Sequence, residues 1–247
     1  MTANVEPRGG FSHSYNVLPV AERFVSINGE GPHAGFLSSF VRFAGCNLDC
    51  TYCDTRWANA ADAVVEWLDP EQLCAWVAKQ NTRFVTLTGG EPLIQPVIMP
   101  LMEALMMGVE DVDDEAVVEI ETNGSVPVAP VVALRERLDC PQRLQLTMDW
   151  KLPSSGMSSA NELVNLRSLG AQDAVKFVAG TQDDLQEALR VITTNGLCER
   201  CQVFLSPVQG VMPPAALVDF AKEAGLRNVR VQVQLHKVLW PGQERGV

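Results

Sequence analysis

The chain predicts an α/β fold, a partial (β/α) barrel of six or seven parallel strands in one domain over 1–247, with short irregular ends at 1–15 and 241–247. Three observations carry this. Apolar, β-branched runs alternate with helix-period segments along the chain, the pattern of parallel strands joined by right-handed crossovers. The length of 247 residues suits one such unit. The motifs that carry chemistry fall where strands end, and the carboxyl ends of strands are where such barrels place their sites.

Strands are expected near 39–44, 84–88, 116–121, 144–149, 174–178, 202–206 and 229–234. Helices are expected near 70–79, 97–107, 129–137, 160–168, 182–195 and 214–224. Asp69 stands as a cap before Pro70 at a first helical position, and Thr181 precedes Asp183 and Asp184 at another helix start. Cys74, between Leu73 and the pair Trp76-Val77, reads as helix core. Gly225 follows the last of these helices as its stop. No linker or low-complexity tract separates a second domain.

Composition bounds the function. An apolar fraction of 47% supports a substantial core, and a net charge of -11 with pI near 4.7 argues against extended nucleic-acid binding, which needs a basic footprint. No apolar run reaches the ~18 residues of a membrane helix. The start MTANVEPRGG lacks the apolar core of a secretory signal. A cytoplasmic location follows as an expectation, and with it thiols that are ligands or free rather than bridged.

The densest chemistry is Cys46-Asn-Leu-Asp-Cys50-Thr-Tyr-Cys53, followed by Asp54 and Thr55. Thiolates favour iron–sulfur clusters, zinc or copper(I). A cubane cluster normally takes four thiolates, so three leave one iron open to bind a small molecule. A structural zinc site, with Asp49, Asp54 or a distant histidine as fourth ligand, is the alternative reading of the cysteines alone. Cys140, Cys198 and Cys201 read as a loop cysteine and a strand-start pair, with a second metal site as the less favoured alternative.

Other motifs sit at strand ends: Thr88-Gly89-Gly90-Glu91-Pro92, Glu121-Thr122-Asn123-Gly124, Asp149-Trp150-Lys151, Ser206-Pro207-Val208-Gln209 and Gln234-Leu235-His236-Lys237. Glycines admit a ligand close to the backbone. Arg42 shares a strand face with Phe40 and Ala44, so it points at packed interior and needs an anion there, from an acid side chain or a substrate. Glu30 beside Gly31 and Pro32 reads alone as a solvated turn acid, and Lys151 as the partner of Asp149 or another acid.

C-x3-C-x2-C with an aromatic before the last cysteine resembles the signature of the radical S-adenosylmethionine (SAM) enzymes, and Gly89-Gly90-Glu91-Pro92 resembles the family motif that contacts the SAM amino group. The segments Ser26–Gly35 and Phe40–Cys46, Cys53-Asp54-Thr55, Thr88–Glu91, Glu121–Gly124 and Gln234–Lys237, in this order, resemble the 7-carboxy-7-deazaguanine synthases. That resemblance implies ring contraction of 6-carboxy-5,6,7,8-tetrahydropterin to 7-carboxy-7-deazaguanine with loss of ammonia, feeding 7-deazapurines such as queuosine. It implies a [4Fe-4S] cluster, SAM and Mg²⁺ as cofactors, a flavodoxin-type reductant and a homodimer. It also implies roles for particular residues. Cys46, Cys50 and Cys53 ligate three irons, and Thr55 contacts Mg²⁺. Ile27, Asn28, Gly29, Glu30, Arg42, Thr88 and His236 contact the substrate. Asp54, Gly89, Gly90, Glu91, Asp149, Trp150, Lys151, Ser206, Pro207, Val208 and Gln209 form the cofactor side. Two departures stand out. Asn28 occupies a position where the family often has Gln, and the tail runs on from Lys237 to Val247, longer than in relatives whose terminal carboxylate reaches the substrate. Rival readings are an activase acting on a partner protein and a zinc or electron-transfer module.

Overall fold

The computed structural model describes residues 16–107 and 116–247; the irregular end expected at 1–15 lies outside them. Strands β1 (Leu18–Ile27) and β2 (Leu37–Phe43) form an antiparallel hairpin, and short β3 (Glu66–Leu68) pairs antiparallel with the start of β1. Then come α1 (Pro70–Gln80), β4 (Phe84–Gly89), α2 (Ile98–Met107), β5 (Val117–Thr122), α3 (Ala129–Arg137) and β6 (Leu144–Trp150). The rest is α4 (Leu163–Ser168), β7 (Ala174–Ala179), α5 (Gln182–Thr194), β8 (Gln202–Pro207), α6 (Pro214–Glu223), β9 (Val229–Val231) and α7 (Leu235–Leu239). The sheet has nine strands in the order β3-β1-β2-β4-β5-β6-β7-β8-β9. From β2 to β9 every neighbour pair is parallel.

The seven expected strands and six expected helices are these parallel strands and α1 to α6. Two antiparallel strands escaped the reading. In β1, Pro19, Glu22 and Arg23 interrupt the apolar run, and β3 has only three residues. The last strand is also shorter than 229–234, because Leu235–Leu239 turns helical. Residues 241–247 hold no helix or strand.

Local chemistry starts the helices where the sequence marks them. Asp69 accepts from the backbone N–H of Gln72 at 2.8 Å while the Gln72 side chain accepts from Asp69 N at 3.0 Å, a reciprocal capping box. Thr181 and Asp184 make the same exchange at α5. The core lies between sheet and helices: Val85, Leu87, Val118, Ile120, Leu144, Leu146, Val175 and Phe177 bury their side chains with Leu73, Leu101, Leu105, Val131, Leu185 and Leu217. Cys74 is fully buried in this cluster, as its helical position required.

Strand alternation therefore turns the other set of residues inward, away from the helices. That set includes Thr86 and Thr88 of β4, Glu119 and Glu121 of β5, Thr147 and Asp149 of β6, and Lys176 of β7. The sheet does not close by a strand ladder. Instead the segment after β9 meets the β1–β2 connection: Gly31 N–H donates to Gln232 Oε1 at 2.9 Å and Leu235 N–H to Gly29 O at 3.0 Å. These contacts curl the sheet around a polar interior.

Candidate active site

A cavity of about 690 Å³ opens over the carboxyl ends of the parallel strands. Arg42 of β2, Thr88 of β4, Glu121 of β5, Asp149 of β6, Lys176 of β7 and Pro207 of β8 all line it. The 27–30 turn, the cysteine loop and the chain after β9 complete the wall.

Cys46, Cys50 and Cys53 are free thiols on this wall. Their loop is tied down at several points. Thr51 donates from both N and Oγ1 to Ser155 O, at 3.0 and 3.1 Å. The Tyr52 hydroxyl donates to Val178 O at 3.1 Å, which explains the aromatic before the last cysteine. Arg56 donates to Cys50 O at 2.8 Å, and Asn123 Nδ2 reaches Cys46 Sγ at 3.6 Å and Asn47 Oδ1 at 3.0 Å. Among the described residues no three His, Cys, Asp or Glu side chains converge as ligands of one metal ion. Three thiols on one wall would leave one iron of a cubane cluster open. Burial pushes the Cys46 thiol up to about 11, a shift that a cationic metal centre reverses.

The glycine-rich loop packs directly on the cysteine loop. A Cβ on Gly90 would stand 1.9 Å from Gly45 O and 2.7 Å from Asn59 Oδ1, so only glycine fits beside the residue that precedes Cys46. Glu91 takes a different place from the cofactor side expected of it. It is fully buried beneath the cavity, not on its wall. Its carboxylate accepts from Leu93 N at 3.0 Å, Thr122 Oγ1 at 2.8 Å and Asn123 N at 2.7 Å. Burial raises it to about 6 against these bonds. Glu91 thus ties the glycine loop to the Asn123 segment, which in turn holds Cys46.

The floor carries a chain of charges. Lys176 Nζ lies 3.1 Å from Glu30 Oε2 and 3.3 Å from Asp149 Oδ1, and Lys151 Nζ lies 3.1 Å from Asp149 Oδ2. Burial opposes the charge on Lys176, but Asp149, Glu30 and Glu121 outweigh it and hold it well above the usual lysine range. Gln234 Nε2 donates to both Glu30 and Asp54 at 3.2 Å, and Lys237 Nζ reaches Asp54 Oδ2 at 2.7 Å. Burial pushes Asp54 up, yet Lys237 and Gln234 prevail and hold it at about 2. Thr88 Oγ1 donates to Glu121 Oε2 at 2.6 Å. Burial raises Glu121 to about 7, with Lys176 opposing and Glu119 assisting.

On the opposite wall, Arg42 stands directly across the β1–β2 ladder from Glu22, and its Nε donates to Glu22 Oε1 at 2.7 Å. The half-buried strand arginine has its acid. Its terminal nitrogens have no hydrogen-bond partner among the described residues. Its guanidinium lies 5.9 Å from the centre of the Trp57 ring, and that of Arg245 lies 4.1 Å from the same ring. Gly246 N–H donates to the other Glu22 oxygen at 3.2 Å, and Val247 reaches the cavity wall. His236 packs on Gly29 so closely that a Cβ there would stand 2.2 Å from its Nδ1. Asn28 turns its side chain inward: Nδ2 donates to Glu119 at 2.8 Å and Thr86 at 3.2 Å. Its backbone N–H is taken by Phe36 O at 2.7 Å.

The cavity gathers Ile27, Gly29, Glu30, Asp54, Thr55, Gly89, Gly90, Lys151, Val208 and Gln209 with the residues above. Like Glu91, Trp150 and Ser206 stay off the wall. Trp150 alternates to the helix face, where it packs on the core. Ser206 is buried below, its Oγ accepting from Gln232 Nε2 at 3.0 Å. Sequence reasoning gave Lys176 no part. A lysine inside the apolar run Ala174-Val175-Lys176-Phe177-Val178-Ala179 is the signal that could have found it, since a buried charge requires a partner. Cys201 donates to Leu197 O at 3.6 Å at the start of β8 and lies away from this wall, as does Cys198.

Comparison with known proteins gives a consistent result. The radical SAM superfamily model matches residues 40–141. The chain is 41% identical to the 7-carboxy-7-deazaguanine synthase of Clostridium acetobutylicum over 92% of its own length and 98% of that protein. It is 35% identical to that of Methanospirillum hungatei, over 94% of this chain and 92% of the other, and 33% identical to that of Chlorobaculum tepidum, over 93% and 97%. The crystal structure of QueE from Escherichia coli superposes with a TM-score of 0.64 at 21% identity, covering 89% of this chain and 95% of that one, a likeness of fold.

Proposed function

We infer the reaction from one premise: the chain belongs to the 7-carboxy-7-deazaguanine synthase family, within the radical SAM superfamily. It is a radical SAM lyase that contracts the ring of 6-carboxy-5,6,7,8-tetrahydropterin to 7-carboxy-7-deazaguanine with release of ammonia, in 7-deazapurine biosynthesis of the queuosine type. It uses a [4Fe-4S] cluster and SAM. The observation that carries the reading is the meeting of three thiols, an arginine and a carboxylate–lysine chain on one cavity of about 690 Å³.

Cys46, Cys50 and Cys53 hold the cluster, and Gly89, Gly90, Asp149, Lys151 and the 207–209 stretch hold SAM. Bound there, the cluster and SAM would supply radical hydrogen abstraction at C6 of the pterin. The protein supplies orientation and exclusion of water. The terminal nitrogens of Arg42 clamp the substrate carboxylate, a planar fork meeting a planar anion. Glu30 accepts the paired N–H donors of the pyrimidine edge. Ile27, the Asn28–Gly29 backbone, Thr88 and His236 complete the substrate side; the Asn28 carbonyl oxygen accepts from Gly35 N–H at 2.8 Å and has a second lone pair for a ligand donor. Glu121 Oε2, raised to about 7, is suited to exchange a proton with the substrate, which must give up protons as ammonia leaves. Thr55 contributes an oxygen to Mg²⁺, a hard ion that keeps most of its waters. We further propose one domain over 1–247, a flavodoxin-type reductant, a homodimer and a cytoplasmic location. Among the described residues no helix is long and apolar enough to cross a membrane.

The test is anaerobic turnover of reconstituted protein with SAM, Mg²⁺, dithionite and 6-carboxytetrahydropterin, read by mass spectrometry. The expected product is 7-carboxy-7-deazaguanine without stoichiometric loss of SAM. Accumulation of 5′-deoxyadenosine over an intact pterin would refute the substrate and leave the radical SAM chemistry standing.

A further inference from the structure

Among the described residues, Lys176 is the cation that ion-pairs with both Glu30 and Asp149. Its side chain is 9% exposed and rises from the middle of β7. On one side its Nζ donates to Glu30 Oε2 at 3.1 Å, and Glu30 is further held by Gln234 Nε2 at 3.2 Å and Ser206 Oγ at 3.5 Å. On the other side its Nζ lies 3.3 Å from Asp149 Oδ1. That contact is an ion pair without hydrogen-bond alignment, and Asp149 Oδ1 is buried with no hydrogen-bond partner. Asp149 is therefore unevenly held: Lys151 donates to Oδ2 at 3.1 Å, and Oδ1 faces a lysine already bonded to Glu30.

We propose that Lys176 is a positioning residue that couples the two ligands, so that SAM bound beside Asp149 tightens pterin binding at Glu30. The inference rests on the substrate and SAM sides assigned above. SAM carries a fixed positive charge on its sulfonium. Placed beside Asp149, that charge competes for Oδ1 and weakens the hold of Asp149 on Lys176. The lysine then serves Glu30 alone, holding its carboxylate in place to accept the pterin N–H pair. The linkage is reciprocal, so pterin must tighten SAM by the same factor. The nearby acids Glu119 and Glu121 also face this lysine from β5, but neither lies within ion-pair distance of it. They contribute field without sharing its bonds.

The experiment measures the dissociation constant of 6-carboxytetrahydropterin, anaerobically and with the cluster left oxidised so that nothing turns over, with and without saturating SAM. The unmodified protein, Lys176→Met and Lys176→Arg are compared. In the unmodified protein SAM is expected to tighten the pterin by a factor within the roughly 5- to 150-fold span of such couplings. In Lys176→Met the factor falls to near one, although each ligand still binds. In Lys176→Arg, which keeps the charge, part of the factor returns. A merely structural lysine would weaken both constants and leave their ratio alone. An unchanged ratio in Lys176→Met, or no coupling in the unmodified protein, overturns the proposal. Failure of the unmodified protein to bind pterin at all overturns instead the substrate reading on which it rests. Should Lys176→Met not fold, Lys176→Gln gives the same ratio test.

Discussion

Replacing Glu121 with Gln should make the protein more stable at alkaline pH and less active. The carboxyl faces the cavity with one hydrogen-bond donor, Thr88, and burial raises it from 4.5 to about 7. An acid whose folded pKa exceeds its unfolded one contributes its full stability below the unfolded value and loses it as pH rises through the folded value. The window is therefore pH 4.5 to about 7. At about 1.4 kcal/mol per unit, ionising Glu121 destabilises the fold by up to about 3 kcal/mol above that window. Glutamine has the same shape, its carbonyl can accept from Thr88, and it never ionises. Urea unfolding of the cluster-free protein should show Glu121→Gln ahead of the unmodified chain by up to about 3 kcal/mol at pH 8, with the gap closing toward pH 4.5. The amide cannot exchange a proton at this position, so turnover should fall by about 10²- to 10⁴-fold. A gap that is the same at both pH values, or an unmodified chain that is the more stable at pH 8, would show that Glu121 is not a buried acid held against its ionisation.

Cys50→Ala should remove iron and activity together, as measured by iron content and the visible absorption of anaerobically reconstituted protein; full iron loading would sink the ligand assignment. Arg42→Ala removes the fork but not the SAM side, so pterin binding should weaken by about 10- to 100-fold, the equivalent of a charged hydrogen bond of about 1.5–3 kcal/mol, while SAM affinity holds. Unchanged pterin affinity would mean that Arg42 serves Glu22 alone. Gly90→Ala places a methyl 1.9 Å from Gly45 O, so it should displace the cysteine loop and reduce iron incorporation even though no thiol is touched. Normal iron content in that variant would refute the close packing of the two loops.

Arg42 and Glu91 show where local reading stops. The periodicity around Arg42 put it on an inward strand face, and it is there; its acid, Glu22, belongs to the one long strand that the apolar pattern hid. Glu91 sits inside a motif that marks the cofactor side, yet its three donors come from residues 93, 122 and 123, two of them on a different strand end. A motif tells which residues travel together; which of them faces ligand and which braces the loop depends on neighbours distant in the chain.

By itself the sequence determined the parallel strands, the helices between them, their caps at Asp69 and Thr181, and the cysteine and glycine loops at strand ends. Those follow from periods of two and 3.6, from cap chemistry and from spacing, all of which act over a few residues. Only the tertiary structure decided that Lys176 lies between Glu30 and Asp149, that Asp54 meets Lys237, and that the tail brings Val247 to the cavity. The physical reason is range. A buried charge is paid for by whatever opposite charge the fold carries to it, and those partners come from strands and loops that no local pattern connects.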